Sequence, residues 1–272
     1  MLLWSLLAAI AVVAMIAVPA FSLFGGLRQF SSFRAITKAD DCLRADDLQG
    51  ALEALDRAAE KTPDNPLVFE NRGQVRLELG DLVGAMADFN RLIELNPAYS
   101  GGYTGRAAVY QRLDRHREAI DDFTKAIELR PEWEPSPRNN RAYARALGKR
   151  ELDQGLSDVE EAIRLDDKDE AAYYDTRGYL HELLGEHEAA LADLDRAVEL
   201  AERDHRALEK SADEAKLTPK QRARMDRLMN EELGVILHHR GLAHQALGHG
   251  ELAKQDLSRG DQLGYSPKDG VF

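Results

Sequence analysis

A spacing of 34 residues recurs along this chain, and it constrains the fold more than any other feature. Three segments align without a gap, and each ends in proline, at Pro63, Pro97 and Pro131. The same register continues through three further segments, which end near residues 167, 202 and 265. A fixed period of this length is typical of arrays in which each unit buries its apolar face against its neighbours. We therefore predict six units, numbered 1 to 6, near residues 32–65, 66–99, 100–133, 136–169, 171–204 and 234–267.

Small residues recur where the two helices of one unit would approach each other closely. The first helices carry such a residue near their middle, namely Ala39, Gly73, Ala107, Ala142, Gly178 and Gly241. The second helices begin with a small residue and have a large apolar one four positions later, a pair that would face the neighbouring helix. These pairs are Ala51 and Leu55, Ala85 and Phe89, Ala119 and Phe123, Gly155 and Val159, Ala190 and Leu194, and Ala253 and Leu257. Leu92 stands where the other units have Ala or Gly, which predicts a wider spacing between units 2 and 3.

This pattern of small, apolar and terminal proline positions resembles the tetratricopeptide repeat, a family of helix-turn-helix arrays. The resemblance implies an all-α fold, a right-handed superhelical α-solenoid of about six units. In this family the first helices line a concave inner wall that commonly receives peptides. Proline is absent from the ends of units 4 to 6, so the second helices of units 4 and 5 can continue further.

The resemblance also implies which side chains line that inner wall. Carrying over the helical phase places ten residues on it: Glu70, Gln74, Thr104, Gln111, Arg112, Asn139, Tyr143, Asp175, Tyr179 and His238. Tyr143 and Tyr179 are the expected anchors for a peptide, because aromatic side chains supply large contact areas. The alternative is that these tyrosines pack against the next unit. Of the basic and asparagine clamp used by the chaperone-binding subclass only Asn71 has a counterpart, so capture of a chaperone tail is not expected.

An arginine precedes the small residue of the first helix in units 2 to 6, and an aspartate precedes the apolar residue of the second. Their separation is 16 residues, or 17 in unit 4. A planar guanidinium suits two-point contact with a carboxylate, so we predict an ion pair within each unit. The predicted pairs are Arg72 with Asp88, Arg106 with Asp122, Arg141 with Asp158, Arg177 with Asp193, and Arg240 with Asp256. The alternative is that both side chains point to solvent. Unit 1 has Lys38 and Ala54 instead, which suits an atypical terminal unit.

Residues 1–27 contain no charged side chain. A helix over residues 2–24 would be about 34 Å long at about 1.5 Å per residue, enough to cross a bilayer core of about 30 Å. We therefore predict a transmembrane anchor over residues 1–27. A cleaved signal peptide is the alternative, because Val18, Pro19 and Ala20 resemble a cleavage site, although the usual basic n-region is missing.

Basic residues follow the predicted span, and only the α-amino group precedes it. The nearest are Arg28, Arg34, Lys38 and Arg44. The positive-inside rule therefore places the repeats in the cytoplasm, as part of a single-pass membrane protein. Cleavage of a signal peptide would instead leave a periplasmic or secreted protein.

Residues 205–233 fit no unit of the repeat. Thr218, Pro219 and Gln221 have the spacing of a helix start, with Thr as N-cap, Pro in the first turn and Gln reaching back. We therefore predict a helical hairpin that projects from the array, either as a solvated arm or as an arm that docks a partner. Residues 268–272 are predicted to form a short tail.

The composition argues against several classes of function. The chain has 36 basic and 48 acidic side chains, a net charge of −12, which disfavours nucleic acid as a partner. It contains none of the HExxH, GxGxxG, GxxxxGK[ST] or GxSxG motifs, and its single cysteine, Cys42, stands at a packing position. We therefore expect no catalytic, cofactor or metal site. The expected function is a membrane-tethered scaffold or adaptor that binds a protein or peptide; the alternative is a structural, self-associating component of an envelope complex that uses the hairpin. The oligomeric state stays open.

Overall fold

The computed structural model describes residues 34–130, 135–166 and 168–265. Twelve helices and no strand occupy these residues, which confirms the all-α fold. The first helix, α1, is described over residues 34–44. It is followed by α2 (Leu48–Lys61), α3 (Pro66–Glu78), α4 (Leu82–Leu95), α5 (Ser100–Arg112), α6 (His116–Leu129), α7 (Pro135–Leu147), α8 (Leu152–Leu165), α9 (Ala171–Leu184), α10 (His187–Ala215), α11 (Pro219–Ala246) and α12 (Gly250–Gln262).

The helices stack in chain order. The most extensive contacts join the two helices of one unit, such as α3 with α4 and α5 with α6, and the next join each second helix to the following first helix. Each unit therefore packs its two helices against each other and then against the adjacent units, as expected for a solenoid. The predicted pairs of small and large residues form the core, because Ala85, Phe89, Ala119 and Phe123 are all buried.

Polar side chains set several of the helix starts. Asp47 and Asp81 precede α2 and α4, and each accepts a hydrogen bond of 2.9 Å from the backbone N–H three residues later. Asn65 caps α3 in the same manner, with Pro66 at the first helical position. These caps satisfy N–H groups that lack an intrahelical partner, so they fix where each helix begins.

Glycines in α5 compensate for the large Leu92 of the preceding unit. Leu92 is fully buried, and a Cβ built on Gly102 would lie 3.3 Å from its Cγ atom. A Cβ built on Gly105 would lie only 2.2 Å from the ring of Phe89. A side chain is therefore missing at Gly102, opposite Leu92, from which a wider spacing was predicted, and another is missing at Gly105, opposite Phe89.

No helix within the described residues is both long enough and apolar enough to cross a lipid bilayer. The predicted transmembrane anchor over residues 1–27 and the predicted tail over residues 268–272 lie outside the described residues.

The insertion over residues 205–233 consists of extensions of two helices. Helix α10 begins in unit 5 and continues to Ala215, and α11 begins at Pro219 and continues into unit 6. Lys216, in the left-handed conformation with φ of 53°, ends the first extension. Thr218 and Gln221 form a reciprocal capping box that starts the second. We refer to residues 205–233 as the hairpin.

The tip of the hairpin contacts unit 1 and does not project freely, which differs from the prediction. Gln221 Nε2 donates a hydrogen bond to the carbonyl oxygen of Arg44, at the end of α1. The last carbonyl groups of a helix lack intrahelical partners, so they are available to a donor from elsewhere in the chain. The guanidinium of Arg224 contacts the carbonyl oxygen of Leu43 at 3.3 Å, Glu78 Oε2 at 2.9 Å and Asp46 Oδ1 at 3.5 Å.

Candidate functional site

Each of the five predicted arginine–aspartate pairs is joined at two atoms. In unit 2, Arg72 Nη2 lies 2.6 Å from Asp88 Oδ1 and Arg72 Nε lies 3.0 Å from Asp88 Oδ2. The other four pairs have the same geometry, with distances between 2.6 and 2.8 Å. The carboxylates are buried or nearly so and do not point to solvent.

The same arginines also reach the preceding unit. Four of them donate through Nη1 to a polar side chain two residues after the aspartate position of that unit. These contacts are Arg72 to Asp56 at 3.0 Å, Arg106 to Asn90 at 2.8 Å, Arg141 to Thr124 at 3.0 Å, and Arg240 to Asp195 at 3.0 Å. One guanidinium therefore fixes the spacing within a unit and the register between units. The sequence reasoning missed this second contact, although a polar residue recurs at that position.

The charge of these arginines is stabilised by their partners. Hydrogen bonding to Asp122 raises the pKa of the Arg106 guanidinium, although burial opposes the shift. The pKa of Arg177 and of Arg240 is raised in the same manner, by Asp193 and Asp256. Arg106, Arg177 and Arg240 therefore stay protonated, so they act as structural elements and not as proton donors.

The ten residues predicted for the inner wall, called the first-helix face, differ in exposure. Gln74 and Arg112 are exposed, and Glu70, Thr104, Tyr179 and His238 are partly exposed. The other four are buried, which differs from the expectation that they line an open wall: Gln111, Asn139, Tyr143 and Asp175. The accessible part of this face is therefore smaller than the sequence suggested.

Interactions with the following units explain part of this burial. Asp175 Oδ1 lies 2.8 Å from His239 Nδ1 of α11, and both side chains are buried. The ring of Tyr179 stacks on His239 with centroids 4.2 Å apart, and Tyr143 lies 6.3 Å from Tyr179. Tyr143 and Tyr179, the predicted anchors for a peptide, therefore belong to a row of rings that continues into unit 6. This agrees with the alternative interpretation, in which they pack against the next unit.

A second pair of rings completes this aromatic cluster. His238 stacks on Tyr265, with centroids 3.9 Å apart, and lies 6.3 Å from His239. Burial lowers the pKa of His238, and burial raises the pKa of Tyr179 and of Tyr265. His238, Tyr179 and Tyr265 are therefore uncharged near neutral pH. Sequence reasoning missed His239 and Tyr265, because it assigned faces to one helix at a time.

Two amide side chains of the first-helix face have polar atoms without a hydrogen-bond partner among the described residues. Neither polar atom of the Gln111 side chain has one within the described structure, and Asn139 Oδ1 has none either. A buried polar group without a partner costs about 1–3 kcal/mol. These residues come from α5 and α7, the first helices of units 3 and 4.

The charge near unit 5 is negative. Burial, followed by the charges of Asp175, Asp204 and Glu170, raises the pKa of Glu232 on α11. No group of three or more His, Cys, Asp or Glu side chains in the described ranges could hold a metal ion.

Models of the tetratricopeptide repeat match three stretches of the sequence, residues 36–100, 101–132 and 171–204. The chain contains tetratricopeptide repeats. The matches cover units 1, 2, 3 and 5, while units 4 and 6 follow from the helix pairs α7–α8 and α11–α12 and from their bidentate ion pairs. No curated protein sequence matches the chain significantly.

Several solved structures share the fold of these tetratricopeptide repeats. PilW, described as a widely conserved type IV pilus biogenesis factor, is 14% identical, with a TM-score of 0.64 over 87% of this chain and 96% of its own. A tetratricopeptide repeat protein from Parabacteroides merdae is 20% identical, with a TM-score of 0.57 over 88% of this chain and 95% of its own. MamA from Desulfovibrio magneticus is 20% identical, with a TM-score of 0.56 over 64% of this chain and 96% of its own. At these identities the likeness concerns the fold.

Proposed function

We propose that this protein is a non-enzymatic scaffold or adaptor that binds a protein or peptide partner on the first-helix face. Proteins built from tetratricopeptide repeats are generally interaction scaffolds without catalytic activity. The net charge of −12 disfavours nucleic acid as the partner. The uncharged residues 1–27 would tether the array to a membrane, with the repeats in the cytoplasm according to the basic residues that follow.

The observation that carries this proposal is the pair of unsatisfied amides on consecutive first helices. Gln111 and Asn139 hold polar atoms without partners, and the exposed Arg112 follows Gln111 directly. A peptide backbone offers both N–H donors and C=O acceptors, so it could satisfy a carboxamide after a change of side-chain rotamer. Binding of a peptide there would recover about 1–3 kcal/mol that the unliganded fold forgoes.

Site-specific photo-crosslinking in the full-length protein, expressed in its own cells, tests the proposal. A photoreactive residue at Gln74 or at Arg112 is expected to capture a protein partner as a discrete adduct, because both positions are exposed on the first-helix face. The matched control is Lys125, which is exposed on the second helix α6. Adducts of equal yield at Lys125, or no adduct at Gln74 and Arg112, would contradict binding on the first-helix face.

A structural role for the hairpin is the second candidate. Leu208 and Leu228 are about half exposed on its two helices, an arrangement that favours contact with another surface. In this role the protein would self-associate or assemble an envelope complex through the hairpin. Sizing of the purified protein distinguishes the two functions, since a monomer favours the adaptor and a defined oligomer that is lost in Leu228→Glu favours the structural role.

A further inference from the structure

Unit 1 has a cavity at the positions that hold the arginine–aspartate pair in the other units. The cavity has a volume of about 210 Å³ and lies between α1 and α2. Its lining consists of two alanines and three basic residues: Ala35, Lys38, Ala54, Arg57 and Lys61.

Lys38 and Ala54 occupy the positions of the arginine–aspartate pair. In unit 2 the corresponding residues are Arg72 and Asp88, whose side chains meet at 2.6 Å. Ala54 has no carboxylate, whereas Lys38 keeps a cation at the arginine position. Lys38 has no ion-pair partner among the residues that the structure describes. Unit 1 thus retains one half of an interaction that every other unit completes.

The two remaining differences enlarge the cavity and add charge. Ala35 stands where the other units have a large side chain, namely Phe69, Tyr103, Arg138, Tyr174 and Leu237. Lys61 stands where the other five units all have leucine, at Leu95, Leu129, Leu165, Leu200 and Leu263. Truncation at Ala35 and Ala54 therefore opens the space, and Lys61 places a second cation at its edge.

Acidic groups near the cavity do not neutralise it. Arg57 Nη1 lies 3.7 Å from Glu53 Oε2, but both side chains are more than half exposed, so this pair is weak. No acidic residue occurs in the first 39 positions of the sequence, so the segment before unit 1 cannot supply a carboxylate. Three cations therefore surround a cavity in a protein whose net charge is −12.

We propose that this cavity binds a phosphate group, whose oxygens take the place of the missing aspartate carboxylate. Lys38 replaces the arginine as the central donor, while Arg57 and Lys61 neutralise the additional charge of a phosphate relative to a carboxylate. The phosphate is either a free anion or part of an anionic lipid headgroup. Because the uncharged segment 1–27 precedes unit 1, a headgroup could reach the cavity if that segment lies in a bilayer. The site does not depend on binding at the first-helix face.

The test uses the full-length protein in a neutral detergent. Inorganic phosphate and dihexanoyl-phosphatidylglycerol are titrated separately, and binding is followed by ³¹P NMR and calorimetry. Saturable binding of at least one probe is expected. Ala54→Asp is expected to weaken it by about tenfold or more, because the new carboxylate supplies the ion pair that the other units contain. The melting temperature of this variant is expected to stay equal or to rise, which separates loss of the site from loss of the fold.

Two further variants separate a built site from general electrostatic attraction. Lys61→Leu introduces the residue of the other five units, and it is expected to weaken binding by about threefold to tenfold. Lys210→Leu removes one exposed cation from the hairpin and is expected to leave binding unchanged. Binding of the lipid alone assigns the site to a headgroup, and binding of both probes assigns it to the phosphate group itself. The proposal is overturned if neither probe saturates, if Ala54→Asp binds like the unaltered protein, or if Lys210→Leu weakens binding as much as Lys61→Leu.

Discussion

Units 2 and 6 hold the same arginine–aspartate pair, but a different side chain stands beside each. In unit 2, Asp88 accepts hydrogen bonds from Arg72 and also from Arg76, whose Nη1 lies 2.8 Å away. In unit 6, Asp256 accepts from Arg240, and the position of Arg76 is occupied by His244, whose Nε2 lies 3.9 Å from the carboxylate. The position four residues after the arginine therefore decides whether the buried aspartate has one permanent cation or two.

The comparison also shows how the array accommodates the hairpin. Arg72 contacts Asp56 across 16 positions, whereas Arg240 makes the equivalent contact with Asp195 across 45 positions. The additional residues extend α10 and α11 without disturbing the contact between units 5 and 6. The link between adjacent units is thus preserved where the sequence between them is longest.

The largest expected effect comes from removing the aspartate of unit 2. Asp88→Ala removes the buried carboxylate that Arg72 and Arg76 share and leaves them the more exposed Asp56, so we expect a loss of about 3 kcal/mol in the free energy of unfolding. Asp256→Ala removes the buried partner of a single arginine, Arg240, which keeps its contact with the exposed Asp195, and we expect about half that loss. Urea unfolding of the purified protein measures both.

Asp121→Ala serves as the control for these two variants, because Asp121 is exposed on α6. Its effect should be within about 0.5 kcal/mol. Equal losses for Asp88→Ala and Asp256→Ala would show that Arg76 adds nothing to the pair in unit 2.

A smaller effect is expected from acid. Burial, assisted by the charge of Arg240, lowers the pKa of His244 from its ordinary value of 6.5, although Asp256 and Asp195 oppose the shift. The unfolded chain then binds more protons than the folded one as the pH falls below about 6.5, so stability is lost in that range. We expect melting temperatures measured between about pH 7.5 and about pH 5.5 to fall less in His244→Arg than in the unaltered protein.

The converse substitution sharpens the comparison of the two units. Arg76→His in unit 2 is expected to make that unit more sensitive to acid, because it recreates the environment of His244. His238 also has a pKa lowered by burial, so His244→Arg should retain part of the acid sensitivity. An unchanged pH profile in both variants would assign the acid response to other groups.

The smallest expected effect concerns the direct contact between the hairpin and the first two units. Arg224→Ala removes the contacts with Glu78 and Asp46, which are partly exposed, and we expect less than about 1 kcal/mol in global stability. Hydrogen exchange at the end of α1 should nevertheless become faster. The control is Arg227→Ala, since the ion pair that Arg227 forms with Glu231, at 3.9 Å, lies within the same helix. Equal exchange rates in the two variants would mean that Arg224 does not hold the hairpin on unit 1.

The sequence predicted those features that depend on its period. The positions of the helix pairs follow from residues such as Ala85 and Phe89, and the paired residues Arg72 and Asp88 stand 16 positions apart in one unit. These are local relations, since each involves one unit or its neighbour. The presence of two helices in the insertion was also evident, because Thr218 and Gln221 carry a local helix-start signal.

The features that escaped prediction depend on distant or mutual arrangements. The burial of Asp175 requires His239, which lies 64 positions further along the chain and beyond the insertion. The docking of Arg224 on unit 1 spans 181 positions and has no periodic signal. The exposure of Gln111 and Asn139 was overestimated. Helical phase shows on which side of a helix a side chain lies, but it does not show how close the neighbouring unit comes to that side.

The contact between the hairpin and unit 1 changes how this array should come apart and form. A linear repeat array frays from its ends, because a terminal unit has only one neighbour. Here the first unit is held a second time, by a residue 177 positions away. A contact of such high sequence separation closes a long loop, so it forms late, after the intervening units have ordered. Unit 1 should therefore stop fraying only when units 2 to 5 and the hairpin have all folded. Protection of its backbone amides against hydrogen exchange should then mark the completion of folding.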